Sequence, residues 1–198
     1  MNFSGNAAKA TENDFRAAAE SINVPYEAFR AVTRVEAAGS GFDSDNRPKA
    51  LFERHIFYKL LKEKPDLQQQ AVDEKLAYPK WGMLPYPKGS DAVYEEIERA
   101  CKIDENAALQ STSWGLGQIM GVNFYAAGCA SVKEMVEKAG ESEGNQLKQM
   151  AAFIKYSKLD DELRNLDWAG FAKGYNGPGY AQNKYDEKLA NAYESLIA

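Results

Sequence analysis

Residues 25–41 read PYEAFRAVTRVEAAGSG, and the chain is organised around one acidic residue within them, Glu36. Pro25 suits the first turn of a helix, where its missing N–H costs nothing. No breaker follows until Ala38, and Gly39 and Gly41 are good stop signals. Phe29, Val32 and Glu36 fall three and four residues apart, so they share one helical face. That face is otherwise apolar, which places Glu36 at its buried or half-buried end. A carboxylate there needs a partner or a raised pKa. Because Glu is rarely buried, the competing expectation is a helix-end Glu turned out to solvent.

Working outward, residues 41–55 (GFDSDNRPKALFERH) are rich in Gly, Asp, Asn and Pro and then become apolar. This pattern predicts a small β-hairpin that starts near Phe42, turns around residues 45–48 and returns over residues 50–54. Alternation would put Leu51, Glu53 and His55 on one face of the return strand, with Phe52 and Arg54 on the other. Upstream, Thr11 and Asp14 make a capping box ahead of the stripe Phe15, Ala18, Ala19 and Ile22. Downstream, helices are expected from residue 55 to 62, from 66 to 76 and from 90 to 102, the last capped by Ser90. Residues 78–89 (YPKWGMLPYPKG) form an aromatic loop, either packed on the surface or facing a substrate. Ser131 and Glu134 give a second capping box, with Gly140 as the C-cap. Leu147, Met150, Ala151 and Ile154 mark a central amphipathic helix. Asp167 caps a short helix that breaks at residues 174–179, and a helix with Tyr185, Leu189, Tyr193 and Leu196 closes the chain. The expectation is eight to ten helices with one minor hairpin in a single domain, residues 1–198.

The 198 residues are 44% hydrophobic and 12% aromatic, enough to bury a core. The net charge of −5 argues against a general nucleic-acid binder. No stretch approaches the roughly 18 apolar residues of a membrane span, and no basic-then-apolar leader opens the sequence. Two cysteines, Cys101 and Cys129, and one histidine, His55, are too few for the usual zinc sites, so neither metal nor cofactor is expected. The cysteines could pair or stay as free thiols.

A buried-leaning Glu followed by more carboxylates suits glycoside hydrolysis, which needs an acid for the leaving oxygen and a second group for the oxocarbenium-like transition state. An apolar site keeps the acid protonated by penalising its charged form. Glu36 fits the acid. Glu53 is chosen as the second carboxylate, ahead of Asp45 and then Asp43, which turn chemistry explains equally well. Glu53 has a structural explanation too, as an ion-pair partner of Arg54, Arg47 or Lys49. In residues 113–121 (SWGLGQIMG) the glycines, expected on a short helix, let a sugar chain approach, and Gln118 offers amide donors and an acceptor. In residues 174–180 (GYNGPGY), Tyr175 offers a ring and a hydroxyl and Asn176 an amide.

A Glu at a helix end before a hairpin, then GLGQIMG, then YNGPGY, in this order, resembles the lysozyme superfamily. GLGQIMG is similar to the G-L-M-Q-[IV] element of lytic transglycosylases and goose-type lysozymes, and YNGPGY to their A-Y-N-x-G element. NRPKALFERHIFYKL (46–60), SWGLGQIMGVN (113–123) and YNGPGY (175–180) more closely resemble the N-acetylmuramidase domain of phage and prophage endolysins, over nearly all of the chain from Ser21 onward. The resemblance implies a mainly α (α+β) fold, lysozyme-like, with two lobes of helices, one small β-hairpin and a cleft for peptidoglycan glycan strands. It implies Glu36 as the acid and Gln118, Tyr175 and Asn176 as cleft residues, joined on the strand-face argument by His55. The superfamily usually has Ser after its catalytic Glu; Ala37 stands there, removing one hydroxyl partner. An endolysin would be made without a signal in the bacterial cytoplasm and act on the cell wall, as a monomer without stable membrane insertion. Two alternatives keep the fold: a lytic transglycosylase giving 1,6-anhydro products, and a non-catalytic glycan-binding module.

Overall fold

The computed structural model describes residues 2–37 and 39–198. The first helix, α1 (Glu12–Ser21), begins on the expected capping box: Thr11 accepts from the Asp14 amide, and the Asp14 carboxylate accepts from the Thr11 amide. The second, α2 (Tyr26–Ala37), starts just after Pro25, whose carbonyl accepts from the Phe29 amide. Phe29 and Val32 are fully buried, as their spacing required. The expected helix end at Ala38 lies outside the described residues.

The segment after Gly41 makes a turn with a single bridge between Phe42 and Pro48. The true strand, β1 (Ala50–Phe52), stops two residues short of expectation. Arg54 and His55 belong instead to α3 (Arg54–Leu60), and Glu53 occupies its N-cap position. The partner of β1 is not the segment upstream but β2 (Thr112–Trp114), with Leu51 opposite Ser113. β2 pairs in turn with β3 (Ile119–Met120). So SWGLGQIMG is a hairpin rather than a short helix, and the sheet has three antiparallel strands in the order β1-β2-β3. Gly115 sits at φ +69° in its turn, a conformation that favours glycine.

Two helices follow β1 and α3: α4 (Pro65–Asp73) and the long α5 (Ser90–Gln110). α5 runs eight residues beyond expectation through a kink at Asp104, whose carboxylate caps the next turn at the Ala107 amide. Ser90 does not cap it; its hydroxyl bonds Asp43 at 2.5 Å. α6 (Val132–Glu141) passes straight through Gly140, which is not its C-cap. Gly140 lies under the N-terminal segment, where a Cβ on Gly5 would stand 2.1 Å from its carbonyl oxygen. Ser142 ends α6 and caps α7 (Glu143–Tyr156), whose Leu147, Met150, Ala151 and Ile154 are buried. α8 (Asp160–Asn165), α9 (Trp168–Asn176, capped by Asp167) and α10 (Tyr185–Ile197) complete the ten α-helices among the described residues.

α1, α2, α7, α8, α9 and α10 pack on one another, while α5 packs on the sheet and α3 and α4 pack on α5; α6 touches both α5 and α7. One connected core runs through both groups, from Phe29 and Phe171 to Phe52, Phe57 and Ile97. Burying one such side chain is worth roughly 1.5–3 kcal/mol. Cys101 and Cys129 are both free thiols, so no disulfide links the groups. Among the described residues no helix is long and apolar enough to cross a membrane.

Candidate active site

Glu36 occupies the last turn of α2, half-buried, and its Oε1 accepts from Asn176 Nδ2 at 2.9 Å. Burial raises its pKa; the Asn176 hydrogen bond and the charge of Lys188 on α10 oppose that rise without cancelling it. Glu36 is therefore a carboxyl group biased toward its protonated form, with one donor holding its orientation. Asn176 is the last residue of α9, and its Oδ1 is buried without a donor among the described groups.

Tyr175, the neighbour of Asn176, stacks on Phe171 and meets Phe153 edge-on. Its hydroxyl donates to the carbonyl of Gly117 at 2.9 Å, which ties α9 to the β2–β3 turn. Burial, then the nearby Glu36 charge, push that hydroxyl well above the usual tyrosine range. A Cβ on Gly117 would stand 2.9 Å from the same oxygen, so this turn must be glycine to let the ring in. Tyr185 on α10 feels burial and the Glu36 charge in the same direction.

Gln118 is half-buried in the turn at φ +46°. Its Oε1 accepts from Ser113 at 2.9 Å, and its Nε2 donates to the carbonyls of Gly115 and Lys49. Both of its amide donors are engaged by the chain, so it braces the turn against β1. Gln146 braces the same turn from α7: it accepts from the Leu116 amide at 2.8 Å and donates to the carbonyls of Ala139 and Gly41. Beside it the buried Glu143 accepts from the amides of Ala10 and Gly41 and from Lys9. The loop leaving Glu36 is thus pinned by two side chains from α7.

Glu53 follows β1 at the start of α3, and its amide donates to the carbonyl of Ser111, which precedes β2. Its Oε2 accepts from the Tyr86 hydroxyl at 2.7 Å and lies 3.2 Å from His55 Nδ1. Arg54 pairs instead with Glu96, and Arg47 with Asp43, Asp45 and Asp91. Asp43 is enclosed and accepts from Ser90, Arg47 and two turn amides. Burial raises its pKa, but those bonds outweigh it and hold the carboxyl below the usual range. Asp43 organises the turn, and Asp45 is exposed beyond it.

Hydrogen bonds join Glu36 to Asn176, Tyr175 to Gly117, and Gln118 to Ser113 and Lys49, while Glu53 forms a second group with Tyr86 and His55 at the end of β1. A concavity of about 960 Å³ between α1 and α7, walled by Ala17, Ile22, Tyr125 and Tyr156, contains none of them. Its apolar walls offer less to a sugar than the Glu36–Asn176 corner does. Residues that the sequence did not disclose are Tyr86, Tyr185, Lys188, Glu143 and Gln146. Only Tyr86 carried a signal, its place in the aromatic loop. Among the described residues, no three His, Cys, Asp or Glu side chains cluster to hold a metal ion.

Ten α-helices among the described residues, a small three-stranded sheet and a half-buried glutamate at a helix end define the lysozyme-like class. The sequence profile of the N-acetylmuramidases matches residues 25–197. The chain belongs to the N-acetylmuramidase family, and with it to the enzymes that degrade peptidoglycan. It is 38% identical to a Burkholderia AP3 phage endolysin of known crystal structure, over 94% of this chain and 71% of that one, with a TM-score of 0.85. No curated protein matches.

Proposed function

We propose that the protein is an endolysin-type muramidase that hydrolyses the β-1,4 bond between N-acetylmuramic acid and N-acetylglucosamine. Glu36 is the general acid. Its burial keeps a proton available for the leaving glycosidic oxygen, and Asn176 aims the carboxyl group. Glu53 is the second carboxylate, serving the oxocarbenium-like transition state or its attacking water. Tyr175 and Asn176 line the cleft, the unpaired Oδ1 of Asn176 being an acceptor for a sugar hydroxyl or acetamido N–H. Gln118 shapes the cleft turn, and His55 flanks Glu53. The protein is made in the bacterial cytoplasm and meets its substrate at the wall.

The observation that carries this function is Glu36 half-buried in the last turn of α2 with Asn176 bound to its carboxyl group, where burial raises its pKa. Mass spectrometry of fragments released from purified peptidoglycan tests it. Reducing-end muramic acid supports hydrolysis at this bond. Fragments lighter by one water, with a 1,6-anhydro end, make the protein a lytic transglycosylase. A folded protein that releases nothing is a glycan-binding module.

A further inference from the structure

The loop of residues 78–89 carries large apolar side chains that the core does not bury. Trp81 is 70% exposed, followed at once by the exposed Met83 and Leu84. Single exposed apolar residues are ordinary. Trp81 differs because its ring is held: Nε1 donates to the Tyr86 hydroxyl at 2.9 Å, and that hydroxyl donates to Glu53 Oε2. Arg54, buried and paired with Glu96, donates to the carbonyls of Leu84 and Pro85 and fastens the loop to α5. Burial and then the Glu53 carboxylate push the Tyr86 hydroxyl up to about 12, so it remains a donor at any working pH. The indole is thus tethered at Nε1 yet largely open to solvent, two hydrogen bonds from Glu53, and both residues border one small crevice of about 10 Å³ with His55 and Tyr78.

We propose that Trp81 is a stacking platform for a pyranose ring of the glycan strand, and that Tyr86 is a positioning residue that sets both this platform and the Glu53 carboxylate. A pyranose has an apolar C–H face that matches an indole, and a tryptophan with its N–H already satisfied has only that face left to offer. The proposal rests on the muramidase reading above, because it makes the loop one wall of the glycan cleft.

The test uses the full chain with Glu36→Gln, which binds without turnover, titrated calorimetrically with a soluble GlcNAc–MurNAc tetrasaccharide. Adding Trp81→Ala weakens Kd on the order of tenfold, the scale of one aromatic contact, and Trp81→Phe restores most of it. Trp114 is buried and Trp168 packs on Tyr193, so the shift in tryptophan emission on binding comes from Trp81 and disappears in Trp81→Phe. In the otherwise native chain, Tyr86→Phe lowers turnover on peptidoglycan about tenfold, as the loss of one hydrogen bond to a charged group predicts, and raises KM less than Trp81→Ala does, since the indole is untethered but still present. Should Glu36→Gln bind the tetrasaccharide with no change in emission, or should Trp81→Ala bind it equally tightly, the platform is disproved while the muramidase reading stands. Should the native chain release no fragments and Glu36→Gln bind nothing, the muramidase reading falls and the platform falls with it.

Discussion

Asn176 donates to Glu36 Oε1 at 2.9 Å and so joins the C-terminal ends of two helices whose bonded residues lie 140 positions apart. This bond stabilises the carboxylate, while burial stabilises the acid, and the pKa of Glu36 is the balance of the two. Chemistry that needs a proton at Glu36 is therefore tunable from α9 and α10.

Glu36→Gln should reduce lysis of purified peptidoglycan by a factor on the order of 10²–10⁴, the usual worth of general acid catalysis. The amide keeps the shape but has no acidic proton to donate. Release of reducing sugars by a variant with native circular dichroism is the check, and a folded variant of native rate removes Glu36 from the mechanism.

Because the folded-state pKa of Glu36 is raised, the stability linked to it is fully present below its unfolded value, 4.5, and is lost as pH rises through the folded value. Glu36→Gln escapes that loss. In urea unfolding the variant should gain on the native protein as pH rises above about 4.5, with little difference below it.

Lys188→Gln should shift the alkaline limb of the activity profile to higher pH. Lys188 favours the Glu36 anion, so removing it raises the pKa further and keeps the acid protonated for longer. The shift should shrink as salt screens this exposed lysine in the native enzyme. A shift to lower pH contradicts the assignment of that limb to Glu36.

Glu143→Ala should destabilise the fold by about 2 kcal/mol at pH 7, since it leaves the buried Gly41 amide and the part-buried Ala10 amide without their acceptor, while the exposed Lys9 keeps its bond to Ser40. Burial raises the Glu143 pKa, but the bonds from Ala10, Gly41 and Lys9 outweigh it, so the folded value lies below 4.5. The stability tied to ionised Glu143 is present above 4.5 and is lost as pH falls through the lower folded value. Denaturant melts of variant and native protein should therefore converge in that acid range.

Gly115→Ala should lower both stability and activity. The φ of +69° costs an L residue roughly 1–2 kcal/mol, and the new Cβ would lie 2.7 Å from Gln146 Cδ. Gln146 would then release Leu116 and Gly41, loosening the loop after Glu36. A thermal melt paired with a turbidity assay measures the two losses.

The helices were legible where a long apolar period left no second choice. Phe29, Val32 and Glu36 identified the face of α2, and Leu147 to Ile154 the face of α7. The sheet was harder to read. Its strands are three, three and two residues long, and β1 finds its partner 60 residues downstream rather than across the local turn. Asp and Asn at residues 43–46 do make the turn, but the turn carries only one bridge. Glu53 was chosen on strand alternation, yet it sits where the strand gives way to α3, and its partners are Tyr86 and His55 rather than an arginine. Gly140 looked like a cap because a glycine's use in a helix is ambiguous until the segment crossing it is known. The part of Glu36's surroundings supplied by Tyr185 and Lys188 comes from α10 docking on α2, which no local pattern records.

That docking also sets a clock. On a ribosome, α2 emerges long before α9 and α10, and long-range contacts of this kind form late because the intervening chain must close first. Until residues 176–188 arrive, Glu36 lacks Asn176 and the helix that packs against α2. A nascent chain therefore carries Glu36 as an ordinary surface glutamate, and the environment proposed to make it an acid forms only once α10 has docked on α2.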